Sequence, residues 1–543
     1  MLSSLTKLAN RGVVEANALR HAWRSGALGL DNPRVVARSL KALDRLGPLG
    51  AAIPVAALRH PERIGVIDEL GELTFTQLHR RSDALACALR ARGIEEGAGI
   101  GVLCRNHRGF IDITFAAAKV GARTLFLNTE FAAPQLREVC EREGVALIAH
   151  DEEYAEFVGE TDVEDRLLGW TDGAPPDNAL ETLIAEYDGQ APPFPSKPPG
   201  VVLLTSGTTG TPKGAPRHAG RSLAPLGAML SKVPFRDGEA THIAAPMFHA
   251  LGLAQMVITI GVGSTVVVRR RFAAEAALAT IEQHRCTALT VVPVMLLRIV
   301  TVLEDEPSRF DTSSLRIVLV AGAQLEAQLA RRALRVLGDK IYNYYGSTEV
   351  AWATIATPED LRAAPGSAGK PPFGTVVKLF DTDGQPVGGP NRTGRIFVGN
   401  GFEFEGYTGG GSKEVIDGLM STGDVGHFDA DGRLWIDGRD DDMIVSGGEN
   451  VFPGEVEELL VTNPAIQEAS VIGVDDPEWG KRLAAYVVLR PGAELSEDDV
   501  KSFVKANLAR FKVPRQVTFL PELPRNPTGK VLKRELRQLH ARA

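Results

Sequence analysis

Residues 205–214 have the composition of a loop that binds a polyanion. They read Thr-Ser-Gly-Thr-Thr-Gly-Thr-Pro-Lys-Gly and directly follow the apolar run 201–204. Hydroxyls, exposed backbone N–H groups and a lysine are the groups that hold phosphate. A flexible linker is the alternative, but a linker does not usually follow a buried strand. The segment is not a Walker P-loop, because Lys213 lies between Pro212 and Gly214 and no helix can begin cleanly there.

Four further short segments place charged or aromatic side chains on turns. Residues 344–349 (Tyr-Tyr-Gly-Ser-Thr-Glu) offer a carboxylate for Mg²⁺ and an aromatic ring for a purine. Residues 421–424 (Ser-Thr-Gly-Asp) offer a carboxylate for ribose hydroxyls, and residues 438–441 (Gly-Arg-Asp-Asp) offer a guanidinium for ribose or phosphate. Residues 526–530 (Asn-Pro-Thr-Gly-Lys) place one lysine on a tight turn. Taken singly, each has an ordinary alternative, namely a solvated acid, an Asx-turn or a surface lysine.

The order of these five segments is more informative than any one of them. The series runs from residue 205 to residue 530, and it resembles the motif series of the adenylate-forming superfamily in order and approximate spacing. Within that superfamily the chain is similar to the fatty-acyl-CoA synthetases, the long-chain-fatty-acid–CoA ligase type. The resemblance covers residue 60 to the end. It implies an enzyme that adenylates a carboxylic acid with release of pyrophosphate and then transfers the acyl group to CoA with release of AMP.

The resemblance implies ATP, Mg²⁺ and CoA as ligands and divides the motif residues among them. The β- and γ-phosphates would be held by the phosphate loop, that is by Thr205, Ser206, Gly207, Thr208, Thr209, Gly210 and Lys213. Adenine would lie against Gly322, Ala323, Gln324, Asn343 and Tyr345, and the ribose would be held by Asp424 and Arg439. Thr348 would contact the α-phosphate, Glu349 would bind Mg²⁺, and Lys530 would bridge the α-phosphate and the acid, stabilising charge that builds there.

The identity of the acid depends on a second group of residues. Residues 245–252 (Ala-Pro-Met-Phe-His-Ala-Leu-Gly) resemble the motif at the mouth of the acyl pocket. His249 would lie near the substrate carboxylate or gate a tunnel, and a core histidine is the alternative. Gly346 stands where acetate-activating relatives carry a tryptophan, so we expect room for a longer chain. The apolar run 255–263 lines an acyl tunnel or is plain core. We expect a medium- to long-chain fatty acid, with aryl and steroid-like acids as alternatives.

The acceptor is implied by segments near the C-terminus. Gly447 would let the pantetheine arm of CoA pass close to the backbone, and Trp479 would form part of the CoA surface. Residues 406–412 (Gly-Tyr-Thr-Gly-Gly-Gly-Ser) depart from the family's usual segment, and we expect no ligand contact there. Two rival classes stay open: a fatty-acyl-AMP ligase that loads a carrier protein, and a non-catalytic sensor of acyl groups or nucleotides. Intact Lys530 and Glu349 argue against the sensor.

The elements that must position these residues follow an α/β pattern. Short apolar strands alternate with amphipathic helices from residue 60, which predicts doubly wound parallel sheets, and 543 residues exceed one hydrophobic core. We expect an N-terminal helical extension (1–60), a large AMP-binding domain of several subdomains (61–438) and a small mobile α+β lid domain (439–543). Asp441 matches the hinge about which this lid rotates between the half-reactions.

Charge and hydropathy limit the partners. The net charge of −8 gives no basic field for nucleic acid, and no apolar run of about 18 residues is present for a transmembrane helix. Residues 1–50 hold eight Lys/Arg against three acids among apolar residues. They predict amphipathic helices that are either a membrane-surface anchor or a cap packed on the domain edge, and the scattered basic residues favour the cap. We expect a cytoplasmic enzyme, with peripheral contact at the inner membrane face if residues 1–50 bind lipid.

Overall fold

The structure is a computed structural model, and within the residues that it describes the chain forms four β-sheets. These residues are 2–205, 213–217, 222–401, 404, 406–408, 410–440, 444–446, 449–451, 453–476, 480–508, 512–526 and 529–542.

The largest sheet has eight strands and is parallel except at its two edges. In spatial order its strands are β14 (Thr354–Ala356), β13 (Ile341–Tyr345), β12 (Ile317–Val320), β11 (Ala288–Val291), β9 (Ala240–Ile243), β10 (Thr265–Val267), β1 (Ile64–Asp68) and β2 (Gly71–Thr74). Strands β12 and β13 are parallel neighbours, with Val320 opposite Asn343. Because their carboxyl ends lie at the same edge, the segments 321–325 and 346–349 lie side by side.

A second sheet of six strands carries the phosphate motif at its edge. In spatial order its strands are β6 (Asp165–Trp170), β5 (Val145–Asp151), β3 (Gly99–Leu103), β4 (Arg123–Phe126), β7 (Val201–Thr205) and β8 (Lys213–Arg217). Strands β7 and β8 are antiparallel, with Thr205 opposite Lys213. The predicted phosphate loop therefore connects the two strands of an edge hairpin.

Helices cover both sheets, and one large core joins them. The helices of this part are α1 (Leu2–Ser25), α2 (Pro33–Arg59), α3 (Phe75–Ala91), α4 (Arg108–Val120), α5 (Ala133–Glu143), α6 (Ala155–Gly159), α7 (Leu180–Glu186), α8 (Ala224–Lys232), α9 (Ala250–Gly261), α10 (Ala274–Gln283), α11 (Pro293–Asp305), α12 (Ala327–Leu337) and α13 (Pro358–Ala363). Helix α3 begins at a capping box formed by Thr74 and Gln77. Its buried face packs with α4 in a core that contains Val66 of the first sheet and Phe126 of the second.

A third, antiparallel sheet positions the ribose candidates. Its strands are β15 (Val376–Phe380), β16 (Gly394–Gly399), β17 (Val415–Ile416), β18 (Leu419–Phe428) and β19 (Leu434–Arg439). The hairpin of β18 and β19 places Asp424 directly opposite Arg439.

The C-terminal part forms a small α+β unit with its own core. Its strands are β20 (Ile444–Ser446), β21 (Glu449–Val451), β22 (Ile466–Asp476), β23 (Gly480–Leu489) and β24 (Gln516–Phe519), and its helices are α14 (Pro453–Leu460), α15 (Glu497–Asn507) and α16 (Lys533–Arg542). Helix α15 begins at a capping box of Ser496 and Asp499. The fully buried core includes Ile466, Val471 and Val487.

The predicted fold class is therefore confirmed: a large sheet-rich N-terminal part is followed by a smaller α+β unit. The predicted hinge residue Asp441 lies outside the described residues, so the hinge stays a prediction. Helices α1 and α2 pack on the large domain, α1 against α8 and α2 against α3, α4 and α9, as the helical-cap alternative requires. Within the described residues, none of the helices is both long enough and apolar enough to cross a membrane.

Candidate functional site

One cavity brings together motif residues that are far apart in the sequence. It has a volume of about 2460 Å³, whereas a site for one drug-sized ligand measures about 300–1,000 Å³. The candidate site residues that line it are Lys213, His249, Gly322, Ala323, Gln324, Asn343, Tyr345, Gly346, Thr348, Glu349, Asp424, Arg439 and Lys530. The cavity is large enough for a nucleotide and a second ligand together.

Lys213, at the end of the phosphate hairpin, lies beside the candidate metal ligand. Its ammonium group is 5.2 Å from the centre of the Tyr407 ring. The Tyr407 hydroxyl in turn donates a hydrogen bond of 2.6 Å to Oε1 of Glu349, which is 8% exposed. Glu349 and the base of the phosphate loop therefore share one wall of the cavity. The loop residues Ser206, Gly207, Thr208, Thr209 and Gly210 lie outside the described residues, as does the side chain of Thr205.

Tyr407 is a site residue that the sequence analysis missed. The expectation that residues 406–412 make no ligand contact stays a prediction, but Tyr407 lines the cavity and bonds directly to Glu349. The next residue ties the segment to the phosphate hairpin, since the Thr408 N–H donates to the Gly214 carbonyl at 3.0 Å. The sequence signal was weak here, because residues 406–412 depart from the segment that is usual in the family.

A cross-strand pair forms the candidate ribose site. Arg439 donates to Oδ1 of Asp424 at 3.2 Å, and the Tyr345 hydroxyl donates to Oδ2 at 2.6 Å. Burial raises the pKa of Asp424, whereas the neighbouring Arg439, Tyr345 and Lys530 oppose that rise. Burial and the adjacent Asp424 raise the pKa of Tyr345 well above its usual value, so this phenol stays a hydrogen-bond donor.

The candidate adenine site lies at the carboxyl ends of β12 and β13. Gly322 has a φ of 95°, which favours glycine in the turn that follows β12. Asn343 is 6% exposed, and its amide nitrogen donates to the Ser367 carbonyl at 3.1 Å. This bond orients the side chain, so the carboxamide oxygen is the group that can accept a hydrogen from an amino group.

Gly346 is required by the local backbone. A Cβ at this position would lie 1.9 Å from the Ala351 carbonyl oxygen and 2.8 Å from the Trp352 Cα. The sequence analysis attributed this glycine to room for a longer acid. The structure shows a different physical reason, because the backbone folds back on Gly346 and leaves no space for any side chain there. The space available to the acid therefore depends on the other walls of the cavity.

Lys530 reaches the same cavity from the small C-terminal unit. Its backbone N–H donates to Oδ1 of Asn526 at 2.8 Å, and its carbonyl accepts from the Asn526 N–H at 2.9 Å, which closes a tight turn. Gly529 (φ 77°) contacts the large domain so closely that a Cβ would lie 2.3 Å from Val294. A second contact joins Gln324 to Glu458 of α14 at 2.9 Å. In this arrangement Lys530 of the C-terminal unit lines the same cavity as the candidate ribose residues Asp424 and Arg439.

His249 lies at the start of α9, where the apolar part of the cavity begins. Its Nε2 atom is buried and has no hydrogen-bond partner among the described residues. Burial lowers the pKa of this imidazole to about 4, so the ring is neutral at neutral pH. An unpartnered polar atom on a cavity wall is a group that a ligand can satisfy. In helix α9, Val257 and Gly261 line the cavity while Met256 and Ile260 are buried in the core, so residues 255–263 are core in part and the acyl tunnel stays a prediction.

The donor set around Glu349 fits Mg²⁺. One carboxylate with a hydrogen-bonded partner is typical of Mg²⁺, which takes few protein oxygens and keeps water and phosphate ligands. The two residues assigned to CoA, Gly447 and Trp479, lie outside the described residues, and their roles stay predictions.

Comparison with known proteins identifies the family. The model of the AMP-binding enzyme family matches residues 53–408, and that of the AMP-binding enzyme C-terminal domain matches residues 455–530. A feruloyl-CoA synthase of Amycolatopsis is 35% identical, covering 86% of this chain and 94% of its own. The fatty acid–[acyl-carrier-protein] ligase ScoC of Streptomyces coeruleorubidus is 32% identical, covering 89% and 94%. The o-succinylbenzoate CoA synthetase of Bacillus subtilis, solved with its acyl-adenylate intermediate, has a TM-score of 0.77 at 28% identity, covering 90% of this chain and 97% of that one. The chain therefore belongs to the AMP-binding enzyme family, the adenylate-forming superfamily that its motifs predict.

Proposed function

We propose that the protein is an AMP-forming acid–CoA ligase that acts on a carboxylic acid with an extended apolar body. ATP, Mg²⁺ and CoA are the ligands that family membership supports. The observation that carries the proposal is that Lys530, the Asp424–Arg439 pair and Glu349 line the same cavity as the apolar wall beyond His249. A nucleotide and an acid bound there would meet next to Lys530.

The nucleotide is proposed to bind through residues of both parts of the chain. Asp424 and Arg439 hold the ribose, and Asn343 and the backbone at 322–324 hold adenine. Lys213 and the loop before it hold the β- and γ-phosphates. Mg²⁺ held by Glu349 would supply positive charge next to the triphosphate.

The first half-reaction needs no side-chain nucleophile. A carboxylate oxygen of the acid attacks the α-phosphorus, the bond to the bridging oxygen breaks, and pyrophosphate leaves with that electron pair. Two anions approach each other in this step, so its barrier is mainly electrostatic. Lys530 lies where it can neutralise the developing charge between the acid and the α-phosphate. His249 is neutral and offers its unpartnered nitrogen near the carboxylate.

The second half-reaction exchanges oxygen for sulfur at the acyl carbon. The thiol of CoA adds to the acyl carbonyl, loses its proton, and AMP leaves with the oxygen electrons. The resemblance places Gly447 and Trp479 on the CoA path after rotation about Asp441. These roles are part of the proposal.

The class of the acid is proposed from the lining of the cavity and compared with the substrates named for the relatives. The relatives named above act on feruloyl and succinylbenzoate groups or on a fatty acid, so family membership alone leaves aryl and alkyl acids open. The apolar wall formed by α9 favours an acid with a longer apolar body than a single ring.

A second acceptor is supported by one observation. ScoC, at 32% identity over 89% of the chain, is named as a ligase that uses an acyl carrier protein. Loading of a carrier protein is therefore the competing function, and it shares the first half-reaction with the CoA ligase.

The test is the release of pyrophosphate and of AMP, measured with each acid and each acceptor. The purified protein, ATP and Mg²⁺ are supplied with hexadecanoate, octanoate, 4-hydroxycinnamate, benzoate or a steroid acid, together with CoA or a holo-acyl carrier protein. The proposal expects AMP release that requires both the acid and CoA. Release with the carrier protein and none with CoA would favour the competing function, and no pyrophosphate release with any acid would contradict both.

A further inference from the structure

The N-terminal extension is built into the acid side of the cavity. Residues ahead of position 53 lie outside the region matched by the AMP-binding family model. Helix α1 packs so tightly on α8 that a Cβ at Gly227 would lie 2.4 Å from Ala18. Glu15 of α1 also accepts hydrogen bonds from Ser222 and from the Leu223 N–H at the start of α8. The extension is therefore fixed to the elements next to the acyl pocket.

The cavity continues from His249 along the whole of α9 to helices α1 and α2 of the N-terminal extension. Ala254 and Gly261 of α9 line it, and so do Trp23 of α1 and Leu40 of α2. Helix α9 has 12 residues and so spans about 18 Å at 1.5 Å per residue. An aromatic acid of one ring would occupy only the first turns of this length.

The far end of the cavity opens through an exposed apolar surface. Seven of the fifteen large apolar side chains that are exposed in the described residues lie between positions 13 and 40. Trp23 is 52% exposed and Leu40 is 62% exposed, yet both also line the cavity. Such a cluster of exposed apolar side chains indicates a binding surface. Because this surface is continuous with the acid pocket, we infer that it contacts the apolar end of the acid.

We propose that α1 and α2 form a distal subsite for the alkyl chain of a long-chain carboxylic acid. The carboxylate lies near His249, the chain runs along α9, and its end lies between Trp23 and Leu40. This inference rests on the proposed function and adds to it the substrate class and the residues that select it. The extension then acts as a specificity element that the matched family region does not contain.

A plug at the distal end of α9 tests the subsite. Gly261 lines the cavity, and a Cβ there would meet nothing within 4 Å, so the side chain of Gly261→Phe starts in open space at the cavity wall. Gly159 is the matched control, because it is also the last residue of a helix with open space at its Cβ but does not line the cavity.

The expected result is a loss confined to the long acid. Each buried methylene contributes about a fourfold factor in binding, so displacing two of them lowers kcat/KM for hexadecanoate by roughly 15-fold. Octanoate is too short to reach the distal end, so G261F should keep the wild-type kcat/KM for it. G159F should match the wild type with both acids.

Two further variants test where the alkyl chain of the acid lies along α9. Ala254 lies seven residues closer to His249, about 10 Å along the helix, so Ala254→Phe should exclude acids that G261F still accepts. Leu40→Glu changes an exposed mouth residue and should raise KM for hexadecanoate without changing KM for octanoate. Thermal unfolding verifies that each variant is folded, and octanoate turnover verifies it further for G261F, G159F and L40E.

The outcomes separate the subsite from the proposed function. Equal hexadecanoate kinetics in the wild type, G261F and L40E would overturn the subsite, and so would a wild type that turns over aromatic acids but not hexadecanoate. In both cases the ligase function stands. Unchanged kinetics with lost self-association or lost vesicle binding in L40E would assign the surface to a second copy or to lipid, which also overturns the proposal. No pyrophosphate release with any acid removes the function itself.

Discussion

Replacing Tyr345 with phenylalanine should raise the pH at which nucleotide binding is lost. The Tyr345 hydroxyl donates a 2.6 Å hydrogen bond to Asp424, which is proposed to hold the ribose. Burial already raises the pKa of Asp424, and this bond counteracts the rise because it stabilises the ionised carboxylate. Without the hydroxyl the pKa of Asp424 rises further. Since a protonated Asp424 is the weaker acceptor for ribose hydroxyls, binding is lost as the pH falls through this pKa.

The size of the shift follows from the strength of the bond. A hydrogen bond to a charged group contributes about 1.5–3 kcal/mol. One pKa unit corresponds to about 1.36 kcal/mol, so the pKa of Asp424 should rise by about 1–2 units in Y345F. Arg439 stays in place at 3.2 Å and keeps part of the stabilisation of the carboxylate.

The assay is calorimetric titration of AMP across a pH series. Tyr344→Phe is the matched control, because its hydroxyl donates to the neutral carbonyl of Ala351 at 3.1 Å. The midpoint of the acid limb should move to higher pH in Y345F and stay unchanged in Y344F. Equal midpoints in Y345F and the wild type, or equal shifts in both variants, would refute the reasoning.

Two further substitutions test neighbouring parts of the site. Tyr407→Phe removes the 2.6 Å hydrogen bond to Glu349 and should raise the Mg²⁺ concentration for half-maximal ATP–pyrophosphate exchange by about 10–100-fold; an unchanged Mg²⁺ dependence would contradict the role of Glu349. His249→Ala should raise KM for the acid by about 10-fold and leave KM for ATP unchanged, because Nε2 is proposed to bond the carboxylate. Since burial holds the His249 pKa at about 4, the shape of the pH–rate profile near neutrality should not change, and a lost ionisation there would show that the histidine titrates in the reaction.

Most of the fold could be predicted from local patterns in the sequence. The alternation of short apolar strands with amphipathic helices from residue 60 predicted parallel sheets, and most neighbouring strands of the two largest sheets are parallel. This alternation depends on hydrophobic period, which is a short-range property. The order of the motifs was enough to predict the family and a nucleotide site.

Contacts that depend on register or on packing between distant segments could not be read in the same way. Asp424 and Arg439 face each other only because β18 and β19 pair in one register with an irregularity between Val425 and Gly426. The bond from Tyr407 to Glu349 joins residues 58 positions apart. Gly346 was assigned to pocket size because the close approach of the Ala351 backbone has no sequence signal.

The role of Lys530 is the central claim, and separate assays of the two half-reactions test it most directly. Lys530→Ala should reduce acid-dependent ATP–pyrophosphate exchange by about 10²–10³-fold, while conversion of supplied acyl-AMP and CoA to acyl-CoA stays near the wild-type rate. Lys501→Ala is the control, since Lys501 pairs with Glu497 on α15 and does not line the cavity. An equal loss of both half-reactions in K530A, or full exchange activity, would contradict the account.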